Sequence, residues 1–155
     1  MGGVHGGPTP AVGSFATKLI PSPPGTRSCD PVSCVGASSY ALLFVVNSRQ
    51  KIAAYIIFCG TSPWRPSFAQ GLSGLGPEVR DGKFAISNRA IDVTGTFRNA
   101  QTIEGTISAK SPEAKNCGLP KHGKWIATCG RRTPITSLIV RGRSYAVRAG
   151  RCKAP

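Results

Sequence analysis

Residues 92–110 alternate twice. Val93, Gly95 and Phe97 are interleaved with Asp92, Thr94, Thr96 and Arg98. After a polar break at Asn99-Ala100-Gln101, the residues Ile103, Gly105, Ile107 and Ala109 are interleaved with Thr102, Glu104, Thr106, Ser108 and Lys110. Successive side chains of a strand point to opposite faces, so each run has one apolar and one wetted face. Two such runs joined by a short polar turn read as an antiparallel hairpin. Asp92 and Glu104 fall on the wetted face beside Arg98 and Lys110, where cross-strand ion pairing accounts for them.

The same reading extends along the chain. Residues 40–47 (YALLFVVN) and 51–59 (KIAAYIIFC) are apolar on both faces, which suits a pair at a sheet centre covered on two sides. The alternative is an exposed apolar face that mediates self-assembly. Asp81-Gly82 turns into KFAIS, with Phe84 and Ile86 on one face, and KWIATC (124–129) is a further strand. PITSLIV and SYAVRAG flank Arg141-Gly142-Arg143 as a tight hairpin with two cations at its tip. No segment sustains helical periodicity over three turns, so helix is expected to be minor. Eight or nine short strands in one domain predict an all-β fold, a two-sheet antiparallel sandwich or jelly roll, with a closed β-barrel as the alternative.

The chain has 19 Gly and 13 Pro without any collagen-like period. They concentrate in the first 30 residues and in 60–82, which are therefore expected to be tail and loop. Residues 1–27 read as a flexible leader or docking arm with one apolar patch at Phe15 to Ile20, and 28–155 as a single domain ending in a basic hairpin. The 60–82 crossing carries GLSGLG, which is no phosphate loop because no Gly-Lys-Ser/Thr follows. Trp64 and Arg65, with Phe68, are its notable side chains; an aromatic beside a cation can stack on a sugar or base, or simply plug the end of a sandwich.

Six cysteines point to three disulfides made in an oxidising compartment, hence an extracellular or cell-surface location. No basic-then-apolar signal segment is recognisable at the N-terminus, and no apolar run reaches membrane-spanning length. Fifteen pairings are open to six cysteines. Strand placement favours Cys59–Cys117, tying a central strand to the loop before Lys124, with Cys129–Cys152 around the last hairpin and Cys29–Cys34 left together. Zinc held by Cys117, His122 and Cys129 lacks a recognised spacing. No metal or other cofactor is expected.

Several features recur in order between residues 40 and 129. They are FVV in the first strand, a Cys ending the second, Asp81-Gly82-Lys83-Phe84, Gly95-Thr96-Phe97, Gly105-Thr106-Ile107, and Cys117 ahead of Trp125-Ile126-Ala127. In these the chain resembles a group of small secreted β-sandwich proteins of soil actinobacteria that have no established activity. The resemblance implies export, a sandwich fold and a Cys59–Cys117 bridge, and it brings no catalytic residues with it. The chain departs from that group in its basicity, its Pro/Gly leader and its Cys-closed C-terminal hairpin.

The charge is lopsided: 20 Lys and Arg against 6 Asp and Glu, a formal +14 that attracts polyanions. No acid follows Glu113. Arg131, Arg132, Arg141 and Arg143 gather in that last quarter, where guanidinium groups suit planar contact with phosphate or carboxylate. Few aromatics accompany them, which weakens a nucleic-acid reading. Catalysis finds little support: there is no Gly-x-Ser-x-Gly elbow, and His122 is the one base outside the leader, beside a Cys117 expected in a disulfide. The expectation is a non-catalytic module for an anionic polymer, whether cell-wall polymer, acidic glycan or nucleic acid. Self-assembly into an extracellular filament or coat through the N-terminal arm is the alternative, and a hydrolase with an unrecognised site the second.

Overall fold

The computed structural model describes residues 7–23, 39–60, 66–73, 76–131, 137–140, 143–146 and 152–154, with the backbone alone for 66–73, 137–140 and 143–146. Its strands are β1 Gly13–Thr17, β2 Ile20–Pro21, β3 Ser39–Val46, β4 Ile52–Gly60, β5 Pro66–Ser73, β6 Lys83–Ser87, β7 Ile91–Asn99, β8 Thr102–Ala109, β9 Gly123–Cys129, β10 Ser137–Val140 and β11 Arg143–Ala146. A short helix, α1 Pro112–Cys117, separates β8 from β9. The fold is all-β.

Hydrogen bonds join the strands in the order β5-β4-β3-β1-β9-β8-β7-β6, with β2 beside β3 and with β10-β11 as a separate hairpin. Every pairing is antiparallel. Outward from β1 the strands run in chain sequence both ways, so the connectivity is a meander without the Greek-key crossover of a jelly roll. The end strands β5 and β6 do not pair with each other, and the barrel is not closed.

One continuous sheet is instead folded face to face. Phe44 of β3 stacks on Trp125 of β9 at 5.1 Å between ring centroids and meets Phe84 of β6 edge-on at 5.3 Å. Phe15 of β1 meets Phe97 of β7 at 90°. The core between the layers is filled by alternate residues of each strand, including Leu42, Ile57, Val93, Ile103 and Ile107. Gly95 and Gly105 face each other across β7 and β8. A Cβ on Gly95 would lie 2.4 Å from the Phe84 ring, and one on Gly105 2.3 Å from that of Trp125. These glycines are the seats of the two aromatic rings between which Phe44 packs.

The N-terminal segment overturns an expectation. Residues 13–17, read as part of a flexible leader, form β1 in the middle of the sheet, bonded to β3 on one edge and β9 on the other. Gly and Pro surround the patch but leave Phe15-Ala16-Thr17 clear, and burying the Phe15 and Ala16 side chains supplies the driving force. At the break between β1 and β2 the Thr17 hydroxyl accepts the Leu42 N–H at 3.1 Å, replacing a missing ladder bond. The boundary at residue 28 therefore cuts through the sheet. The 60–82 crossing also holds a strand, β5, whose pairing with β4 spans Ala54 to Gly60.

The two central strands β3 and β4 are buried on both faces: Leu43, Ile56 and Phe58, on the side away from the core, are each no more than 5% exposed. Hairpin β7-β8 alternates buried and solvent-facing residues as its sequence predicts. Residues 76–80 stitch the start of β4 to that of β6 through the Ile52 N–H to Pro77 carbonyl bond and mutual bonds between Arg80 and Lys83. The bridges Cys59–Cys117 and Cys129–Cys152 form, with Cα separations of 5.8 and 5.7 Å. Cys29 and Cys34 lie outside the described residues.

Candidate functional site

Of the side chains singled out for ligand binding, Arg132, Arg141, Trp64 and Arg65 lie outside the described residues, and Arg143 is placed only by its backbone, opposite Val140 at the β10-β11 turn. Arg131 is described. Its Nε donates to the Thr128 hydroxyl at 2.9 Å at the far end of β9. Cys117 and Cys129 are each bonded to another cysteine and sit at opposite ends of the fold, so the zinc set with His122 is not assembled. The same bridge removes the thiolate that a Cys117–His122 pair would need.

Three of the acids, Glu78, Asp92 and Glu104, are engaged in ion pairs. Lys110 Nζ donates to Asp92 at 2.8 Å, Arg98 pairs with Glu104, and Glu78 accepts from Arg80 at 3.2 Å with Lys51 at 3.8 Å. The hydrogen bond from Lys110, with a second from Ser87, holds the Asp92 carboxyl below its ordinary range. Asp92 and the Thr96 that faces Glu104 are four residues apart on one strand, about 13 Å along it. Paired catalytic carboxylates sit within about 5–9.5 Å of each other. The cross-strand ion pairs expected on this face are what forms.

A different cluster emerges where β8 hands over to β9. Ser111 caps α1 by accepting the Ala114 N–H at 3.1 Å, and Pro112 opens the first turn. Ala114 and Cys117 face the interior, the latter tied to the end of β4. Lys115 and Asn116 are thereby left on the outer side. Gly118, at φ 116°, ends the helix in the left-handed region, and its N–H returns to the Lys115 carbonyl. Leu119 is buried, and the Pro120 carbonyl accepts the Ala109 N–H at 2.8 Å, so the chain reaches Lys121 and His122 on a fixed path.

Together with Pro23, which follows β2, these residues enclose an open depression of about 680 Å³. Buried Leu119 and Pro120 border it, and Pro23, Lys115, Asn116, Lys121 and His122 line the rest. His122 Nδ1 lies 3.5 Å from the Ser108 hydroxyl. Among the described residues no acid lines this depression. A second hollow, at the opposite end, is bounded by Gly7, Pro8, Gln50, Arg80, Asp81 and Gly82, where Arg80 is already paired with Glu78.

His122 reads from the sequence as a base, whereas Lys115 and Lys121 carry no local motif that marks them as partners. The signal that points to them is the acid-free run after Glu113, together with the bridge at Cys117 that folds the loop back on the sheet. The fold and cluster define a disulfide-tied antiparallel meander with a cation-lined end. Comparison with protein-family models, with curated proteins and with solved structures yields no match.

Proposed function

We propose that this chain is an exported, non-catalytic binding module for an anionic polymer. One observation carries the reading. Glu78, Asp92 and Glu104 are each taken up in ion pairs, whereas Lys115, Lys121, Lys124 and Arg131 form no ion pair among the described residues. Lys18, Arg49, Lys83 and Arg89 also form none, but the stretch after Glu113 differs in holding ten Lys and Arg and no acid to pair with them. Field from such a surface raises the local concentration of polyanions and speeds their capture. Two disulfides support an oxidising location. Among the described residues no helix is long and apolar enough to cross a membrane.

Assembly through the N-terminal arm has less behind it, because both edges of β1 are already bonded within its own sheet. The test of the binding reading is a titration of the purified protein with an acidic polysaccharide at several salt concentrations. Affinity is expected to fall steeply as salt rises, since cation contacts release counterions. Absence of binding at low ionic strength, or affinity indifferent to salt, overturns it.

A further inference from the structure

We infer that the depression between α1, the turn before β9 and Pro23 is a site for one acidic sugar residue of a glycan. The inference rests on the polyanion reading above and goes further by naming a site and a ligand class. Its two kinds of lining belong to different parts of such a ligand. Lys115 and Lys121 both line the depression, and as point charges they suit a carboxylate or sulfate. The Asn116 amide both donates and accepts, as does a neutral imidazole at His122, which suits ring hydroxyls. Leu119 and Pro120 are buried beneath the loop, so the aliphatic surface open to the C–H face of a saturated ring is that of the half-buried Pro23.

The alternative polyanion, single-stranded nucleic acid, needs aromatic platforms on which bases stack. Among the described residues no Phe, Tyr or Trp lines the depression. Its volume of about 680 Å³ lies within the range of small-molecule sites, enough for a ring and its substituents and too little for a polymer backbone to thread through. The walls are also preorganised. The Cys59–Cys117 bridge, the Gly118 cap and the Pro120 carbonyl bond to Ala109 fix the path of the loop, so a ligand need not order it.

Calorimetric titration with three probes tests the assignment: a galacturonate trisaccharide, its fully methyl-esterified uncharged counterpart, and a six-nucleotide oligothymidylate. The double variant Lys115→Ala/Lys121→Ala is compared with Arg49→Ala/Lys153→Ala, which removes equal charge at the opposite end. The pocket variant should weaken the galacturonate at least about tenfold. The control should change it by no more than about twofold, and the uncharged ester should bind at least about tenfold more weakly than the acid. Both variants must retain the parent's thermal transition, Lys115 being half-buried and the other three positions exposed. If both weaken the galacturonate alike, the pocket is overturned while polyanion binding by the surface stands. If the oligothymidylate binds as tightly and is lost with the same lysines, the saccharide assignment falls. If the parent protein binds neither charged probe at low salt, the pocket and the broader reading fall together.

Discussion

The two halves of the sheet solve the same problem by different means. In β6 to β9 each strand keeps one face for the core and gives the other to Thr, Ser, Lys and ion pairs, so the half stands in water without further cover. In β3 and β4 both faces are apolar, and Leu43, Ile56 and Phe58 are buried on the side away from the core. The first half is self-sufficient; the second depends on what packs outside it. The same contrast divides their response to pH. Burial raises the pKa of Tyr40 and Tyr55 on β3 and β4, against a smaller lowering at Tyr55 from Asn88, while Asp92 on β7 is lowered by its exposed partners.

The severest way to break this arrangement is to delete residues 1–19. The halves then lose the strand that joins them, and the chain is expected to show no cooperative thermal transition and a collapsed amide NMR spectrum. A truncated protein that still melted cooperatively would mean the facing aromatics suffice. Next comes Phe44→Ala, which removes the ring shared by both layers and should cost about 3–5 kcal/mol in chemical denaturation. A matched pair of outward-facing changes sharpens the contrast further. Leu43→Ala should cost about 2–5 kcal/mol because its site is buried, whereas Thr96→Ala on the wetted face should stay within about 0.5 kcal/mol. Equal losses at the two positions would erase the distinction between the halves.

The smallest effects are those of pH. A tyrosine whose folded pKa is raised contributes stability that is present below its unfolded value of about 10 and lost as pH rises through the folded one. Absorbance titration should therefore show Tyr40 and Tyr55 ionising late, together with unfolding. For Asp92 the sign is opposite: its contribution is present above about pH 3.9 and lost as pH falls through the lowered value. Carboxyl NMR should find Asp92 returning toward the ordinary range in Lys110→Ala, and an unchanged titration would rule out that lysine as the cause.

The hairpin of β7 and β8 was legible because strict alternation leaves a strand one way to sit on a core. Its ion pairs followed from register alone, and so did the place of the Cys59–Cys117 bridge from the ends of the elements it ties. Legibility failed where local signals were weak. Phe15-Ala16-Thr17 is too short a run to outweigh its Gly and Pro neighbours, yet two flanking strands supply what the run lacks. PSFAQGLS has neither alternation nor β-branched residues, and pairs because β4 offers it an edge. The cation-lined depression was invisible for another reason. Lys115, Lys121 and Pro23 come from three segments with no common spacing, and their convergence follows from a disulfide and a helix cap.

The position of β1 also sets a timetable. Phe15 pairs with Phe44 of the nearby β3, and also with Cys129, far along the chain. During synthesis the first strand leaves the ribosome with one edge soon occupied and the other waiting for the ninth. The β3-β4-β5 and β6-β7-β8-β9 meanders can each zip from neighbouring segments, but the junction between them is non-local and slow to form. Until β9 arrives, the free edge of β1 is a template for any passing strand. Nascent chains of this protein are thus most exposed to mispairing late in translation, when nearly all of the sheet exists and its last seam is still open.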